Sequence, residues 1–260
     1  MGLQALAQGA EFDAPGVRDF FLPPIVGGVT KPMVQIVLAA VIVIAFYLIA
    51  TRNLQLVPGR FQFAAESLYN FGRDTIARDQ IGSAEFRPFV PLIVALFSFI
   101  LVNNLFGIVP VIYFPTLSHI GFPLAMSLLV VYPVYHFVGI RKYGLGKYLK
   151  QQLFPPGAPI PVYFILAPVE FLVKFVLNPF TLAVRVFVAM FAGHLLLLVF
   201  ILGGQFLLLE AEGALKAMSL FSWVFAILIT FLEALVMVIQ AYVFAVLTAS
   251  YIGTALAEEH

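Results

Sequence analysis

Five ionisable side chains, Glu170, Lys174, Arg185, His194 and Glu233, stand inside two long runs of otherwise apolar residues, roughly 164–202 and 218–256. One such charge at a bilayer centre costs about 2.5–3.5 kcal/mol on insertion scales and about 10–17 kcal/mol where water does not follow it, so each needs a partner or a task. At about 100° per residue, Lys174, Asn178 and Arg185 fall about 40°, 80° and 60° from Glu170, which puts all four on one polar helix face. Glu170 and Lys174, four apart, are suited to neutralise each other. Ala189 and Gly193 follow one and two turns beyond Arg185, while Val184, Phe187 and Phe191 point elsewhere. Small residues beside the guanidinium let another helix come close, either a partner's or the chain's own second long helix.

His194 lies nine residues past Arg185, about 180° round the helix and about 13 Å further along, so it cannot share the arginine's face. If the two runs form an antiparallel hairpin about a link at 203–217, Glu233 falls opposite residues 187–194. A His194–Glu233 pair is then feasible. With Gln240, seven residues after Glu233 on nearly the same face, and with water, it makes a path for protons. No metal site is expected: there is no HExxH, and His119, His136, His194 and His260 sit on different elements. A GxSxG, a Walker loop and a dinucleotide fingerprint are also lacking, so no cofactor is expected.

The elements that must position these groups are helices in a membrane. Of 260 residues, 62% are hydrophobic and only 10% charged, against about 25% charged in a typical soluble domain. The apolar runs are continuous and not alternating, which favours an all-α integral membrane protein over a β-barrel. They leave no room for a water-soluble core, so residues 1–260 read as a single polytopic membrane domain. Residues 33–50 match one upright span of an apolar layer about 30 Å thick. Residues 57–84 recur in helical spacing (Phe61, Ala64, Ala65, Leu68, Phe71) amid charges and read as an interfacial amphipathic helix, a solvated connecting helix being the alternative. Residues 88–140 read as a helical hairpin, with spans at 89–109 and 121–140 and a turn in "VIYFPTLSHIGFP". Residues 164–256 form a second, longer hairpin. Each of its runs has close to 38 residues, about 57 Å as a continuous helix, so both must be strongly tilted. The competing reading cuts the first run at Asn178-Pro179, where a kink is expected either way.

The chain has no cysteine, which excludes disulfides and thiolate metal sites. Its basic residues flank apolar runs and do not build a separate surface, so no nucleic-acid partner is expected. The first thirty residues lack the basic start, apolar run and cleavage site of a signal peptide and are expected to be retained. Lys and Arg number five in 51–88 and four in 141–161, against two before the first span, none between the second and third, and Lys216 alone in the last link. With five traversals, the excess of positive charge on the cytoplasmic side places the N-terminus outside and "AEEH" inside.

The string "RVFVAMFAGH", read as Arg-x-Phe-x-x-Met-x-Ala-Gly-His, together with "FLEALVMVIQAYVFAVLTASYI" and the ending "EEH", resembles subunit a of F-type ATP synthases. "NNLFGIVP" and the proline-rich "FPPGAPIP" extend the resemblance over most of residues 88–260. Val188 and Ala189 stand where that family often has Gly and Asn. The resemblance implies a proton-translocating stator, non-catalytic on its own, with the rotor c-ring proteolipid, the peripheral-stalk subunit b, the lipid bilayer and protons as partners. Arg185 would be its essential arginine. His194, Glu233 and Gln240 would line an outer half-channel, with Glu170, Lys174 and Asn178 near an inner one. The residue type suits the task, because a guanidinium favours the ionised form of a passing carboxylate and cannot itself relay the released proton. Two rival classes use the same charges. A self-contained proton-coupled secondary transporter would show inverted repeats, of which none is convincing. An intramembrane enzyme would need a second nearby histidine or a nucleophile motif.

Overall fold

The computed structural model describes residues 12, 14–21, 23–25, 27–109, 112–154 and 160–257. The prolines of "FPPGAPIP" at 155 and 156, Pro110 and the "EEH" ending with His260 lie outside them. Among the described residues the long elements are all helices, and five are long and apolar enough to cross a membrane.

Helix α1, Lys31–Thr51, carries Pro32 in its first turn, where a missing N–H is no loss. It buries little beyond Pro32, Gln35, Ala39 and Ala50, so most of its apolar surface faces outward, as a span against lipid requires. Helix α2, Arg60–Asn70, runs on through a widened stretch, Phe71–Arg78, to Asp79–Ile81. Its buried stripe matches the expected one in part: Ala65 is buried and Leu68 and Phe71 pack against the core, while Phe61 and Ala64 are exposed and Gln62, Gly72, Ile76 and Ala77 face inward instead. At Gly72 small size decides the approach. A Cβ on Gly72 would stand 2.6 Å from the Val94 side chain, so α2 can lie close on helix α3, Val90–Leu105, only without one. Gln62 is satisfied by the Gln55 backbone and Glu66.

Helix α4 covers Gly121–Tyr143 and the short amphipathic α5 covers Leu145–Leu153. Helix α6, Ile160–Phe171, passes through a widened turn, Leu172–Leu177, directly into α7, Asn178–Glu210. The cut considered at Asn178-Pro179 is therefore absent. Pro179 cannot donate to the turn before it, and that turn is where the helix widens; Thr181 Oγ1 donates to the Leu177 carbonyl at 2.7 Å.

Helix α8, Ala214–Leu256, packs antiparallel to α7 in the largest interhelical contact of the fold. The link is much shorter than 203–217. Gly203 and Gly204 are helical, and only Ala211–Gly213 turns, with Gly213 at φ +63°, a conformation that suits a residue without Cβ. Of the two glycines expected in the loop, Gly204 serves packing: a Cβ on it would lie 2.6 Å from the Trp223 indole. At 33 and 43 residues the two helices are about 50 and 65 Å long, well beyond an apolar layer of about 30 Å.

The bundle has two unlike ends. At one, the described residues among 12–30 and 106–120 gather toward the α7–α8 turn, with Phe12 against Phe206 and Phe20 against Phe114. At the other, Lys142 donates to Glu85 Oε1 and to the Leu256 carbonyl, both at 2.9 Å, and the Tyr143 hydroxyl donates to the same carbonyl at 2.8 Å. These bonds tie α4, the α2–α3 connection and the last turn of α8 together.

Candidate functional site

His194 and Glu233 meet where α7 and α8 cross, His194 Nδ1 standing 3.7 Å from Glu233 Oε1. They are 2% and 3% exposed. Gly193 faces Glu233 on the chain's own second long helix, and a Cβ there would make only ordinary contact with Glu233 Cγ at 3.5 Å. Phe20, Tyr113 and Phe114 wall the imidazole with ring centroids 6.0, 5.1 and 6.4 Å away. Tyr113 holds a left-handed backbone, φ 37°, unusual for a non-glycine residue. Burial and the nearby Glu233 charge both push its phenol above the usual range.

Buried polar atoms without a protein hydrogen-bond partner cluster around this pair: His194 Nδ1, both Glu233 oxygens, the Tyr113 hydroxyl, and, further out, His119 Nδ1. Burial pushes the His119 imidazole below its usual range, which favours the neutral ring. Deeper along α8, Gln240 Oε1 and the Oδ1 atoms of Asn103 and Asn104 are in the same condition, while Asn104 Nδ2 donates to the Met237 carbonyl at 3.0 Å. Each such atom costs about 1–3 kcal/mol unless water reaches it.

A second polar cluster lies toward the basic end. Glu170 Oε2 and Lys174 Nζ pair at 3.2 Å, and Lys174 also donates to the Gln152 carbonyl at 2.9 Å. Lys174 and Asn178 line a cavity of about 170 Å³ with Tyr135, Tyr148, Ser250 and Tyr251. Ser250 and Thr254 also line the neighbouring open cleft of about 630 Å³ beside Asp79–Glu85.

Arg185 belongs to neither cluster. It is exposed on α7 and opens onto a shallow groove of about 470 Å³ lined by Phe180, Thr181, Val184, Val188 and Ala189. Val184 thus shares the arginine's surface, contrary to the sequence reading, because a broad groove takes in side chains on both flanks. Phe187 and Phe191 do turn away, stacked at 5.6 Å. Among the described residues no carboxylate pairs with Arg185; the Tyr251 phenol lies within its electrostatic reach. Between the two polar clusters Leu182, Val186 and Met190 of α7 and Met237, Ala241 and Phe244 of α8 form one fully buried apolar layer.

The structure brings His194 and Glu233 together as the expected hairpin allows, and sets Phe20, Tyr113, Asn104, Ser250 and Tyr251 near the polar clusters, where the sequence reading does not place them. Asn103 and Asn104 could have been found, being adjacent amides inside an apolar span. The aromatic residues at 20 and 113 carried no signal, since they come from connections with no periodicity.

Five helices long and apolar enough to cross a membrane, the last two holding a buried acid–base pair between them, define a polytopic integral membrane protein. The chain belongs to the ATP synthase A chain family, whose pattern matches residues 33–253. It is 42% identical to an ATP synthase subunit a of Nocardioides sp. over 98% of this chain and 96% of that relative. It is 41% identical to the one of Pseudarthrobacter chlorophenolicus over 96% of each, and 34% identical to that of Streptomyces lividans over 97% and 90%.

Proposed function

We propose that this chain is the proton-translocating stator of a rotary ATP synthase in a bacterial plasma membrane, and that Arg185 meets a carboxylate carried past it by a c-ring of separate subunits. The observation that supports this most is an intramembrane guanidinium exposed in an apolar groove with no carboxylate of its own chain, among the described residues, beside it. A charge left so would be prohibitively costly against lipid, and a carboxylate arriving from another body offsets that cost. The small Ala189 on the groove leaves room for that body to approach.

On this reading His194, Glu233 and Gln240, joined by Tyr113 and Asn104, line the outer half-channel. Lys174 and Asn178, with Ser250 and Tyr251, line the inner one, and the Glu170–Lys174 pair keeps its wall neutral. The apolar layer from Leu182 to Phe244 separates the two paths, so a proton crosses only by riding the rotor acid from one to the other. Arg185 strips that acid of its proton and, having no acceptor site, blocks direct leakage. The transmembrane potential contributes about 2.3 kcal/mol per charge per 100 mV. Phosphate chemistry takes place on other subunits, and a peripheral-stalk subunit b holds the stator against torque.

Replacing Arg185 with Ala in the assembled complex tests the reading. Proton-driven ATP synthesis is expected to vanish while the subunits still co-purify. Synthesis at the parent rate would reject the assignment.

A further inference from the structure

We infer that Phe20 is an apolar plug in the outer access to the His194–Glu233 pair, held there by the turn Val17–Phe20. The inference rests on the proposal that this pair lies on the outer half-channel.

Residues 17–20 come from a connection whose neighbours face outward: Val17 is 59% and Phe21 71% exposed, yet Phe20 between them is 3% exposed. The chain spends local structure to aim it. Asp19 accepts a hydrogen bond from the Gly16 N–H at 2.7 Å, and the Phe21 N–H donates to the Arg18 carbonyl at 3.0 Å, closing the turn on either side of the ring. The ring lies 4.5 Å from Phe191, 6.1 Å from Phe114 and 6.0 Å, edge-on, from His194. Phe20 and Phe114 thus stand against the imidazole, with Phe191 packed on Phe20, beside a pair whose His194 Nδ1 and Glu233 oxygens lack protein hydrogen bonds.

That arrangement is costly as mere packing. An anchor for a surface segment would be cheaper over an apolar patch than over groups that demand water. It makes sense as a constriction, because apolar rings across a narrow passage hold back bulk water while leaving the polar groups behind them hydrated by the few molecules that pass. Phe20 then sets how readily the outer solution reaches His194. It is a positioning residue for water and touches no reacting proton itself.

The absence of cysteine from this chain makes a direct measurement clean. His194→Cys is introduced in the complete ATP synthase complex, and its reaction rate with a charged, membrane-impermeant methanethiosulfonate is followed from each side in oriented vesicles. Adding Phe20→Ala is expected to raise the rate from the outer side about tenfold, the equivalent of about 1.4 kcal/mol off the barrier to access. Phe20→Leu, which keeps an apolar plug, is expected to stay near the parent rate and guards against a disrupted N-terminal segment. Equal rates with and without the Phe20→Ala change, or an equal rise with Phe20→Leu, would overturn the plug. Labelling only from the opposite side would instead overturn the outer half-channel reading on which it stands.

Discussion

The buried pair of His194 and Glu233 works, on the proposed reading, because neither residue is locked by a strong protein hydrogen bond. At 3.7 Å the imidazole and carboxylate are near enough for one intervening proton or water step and too far to form a short, fully satisfied pair. Replacing Glu233 with Gln keeps the volume and removes the proton-binding oxygen. Proton flux through the complex is expected to fall on the order of 100-fold, with an altered pH profile, in passive-transport measurements on reconstituted vesicles. An unchanged rate and profile would take Glu233 off the path. The pair was legible from sequence alone because charges inside apolar runs stand out, and an antiparallel hairpin allows few registers once its turn is roughly placed. Tyr113 and Phe20 were not legible, since their approach to His194 depends on how two irregular connections fold over the bundle's end.

At the scale of elements, the α7–α8 hairpin on the proposed reading brings polar clusters together without joining them. Its apolar layer does the separating: Phe244, 1% exposed, is the largest side chain that α8 contributes there. Phe244→Ala removes dispersion contacts and leaves a void, with a local cost of about 3–5 kcal/mol. Phe244→Asn adds polar groups that hold water. The Asn variant is expected to leak protons in vesicles even when rotation is blocked, whereas the Ala variant is expected to lower thermal stability with little leak. Equal tightness in both would remove the layer as the barrier. The hairpin's turn was the element most poorly legible. "GG" at 203–204 carries the same letters whether it breaks a helix or seats one against a tryptophan, and only the position of Trp223 on the facing helix distinguishes the two. Gly204→Leu is therefore expected to force α7 and α8 apart at that end and to reduce the amount of assembled complex, which a membrane-fraction yield would register.

For the whole molecule, the proposed orientation rests on charge and is open to a direct check. Nine of the fourteen Lys and Arg residues lie in segments 51–88 and 141–161, and the structure gathers parts of both at one end, where Lys142 bridges Glu85 and the end of α8. Moving a basic residue through a bilayer centre costs about 2.5–3.5 kcal/mol on insertion scales, and the proposed orientation accordingly keeps the end rich in such residues on the side of synthesis. The opposite end holds the α7–α8 turn, with Glu212 exposed there, and the segment carrying Phe20. A single cysteine at Ser83, exposed beside the basic cleft, is expected to react with an impermeant maleimide only from the cytoplasmic side. One at Glu212 is expected to react only from the outside, in intact cells. Reversed labelling would exchange the two half-channels, making the His194–Glu233 path the inner one and the cavity at Asn178 the outer, and the direction of proton-driven rotation would have to be reassigned with them.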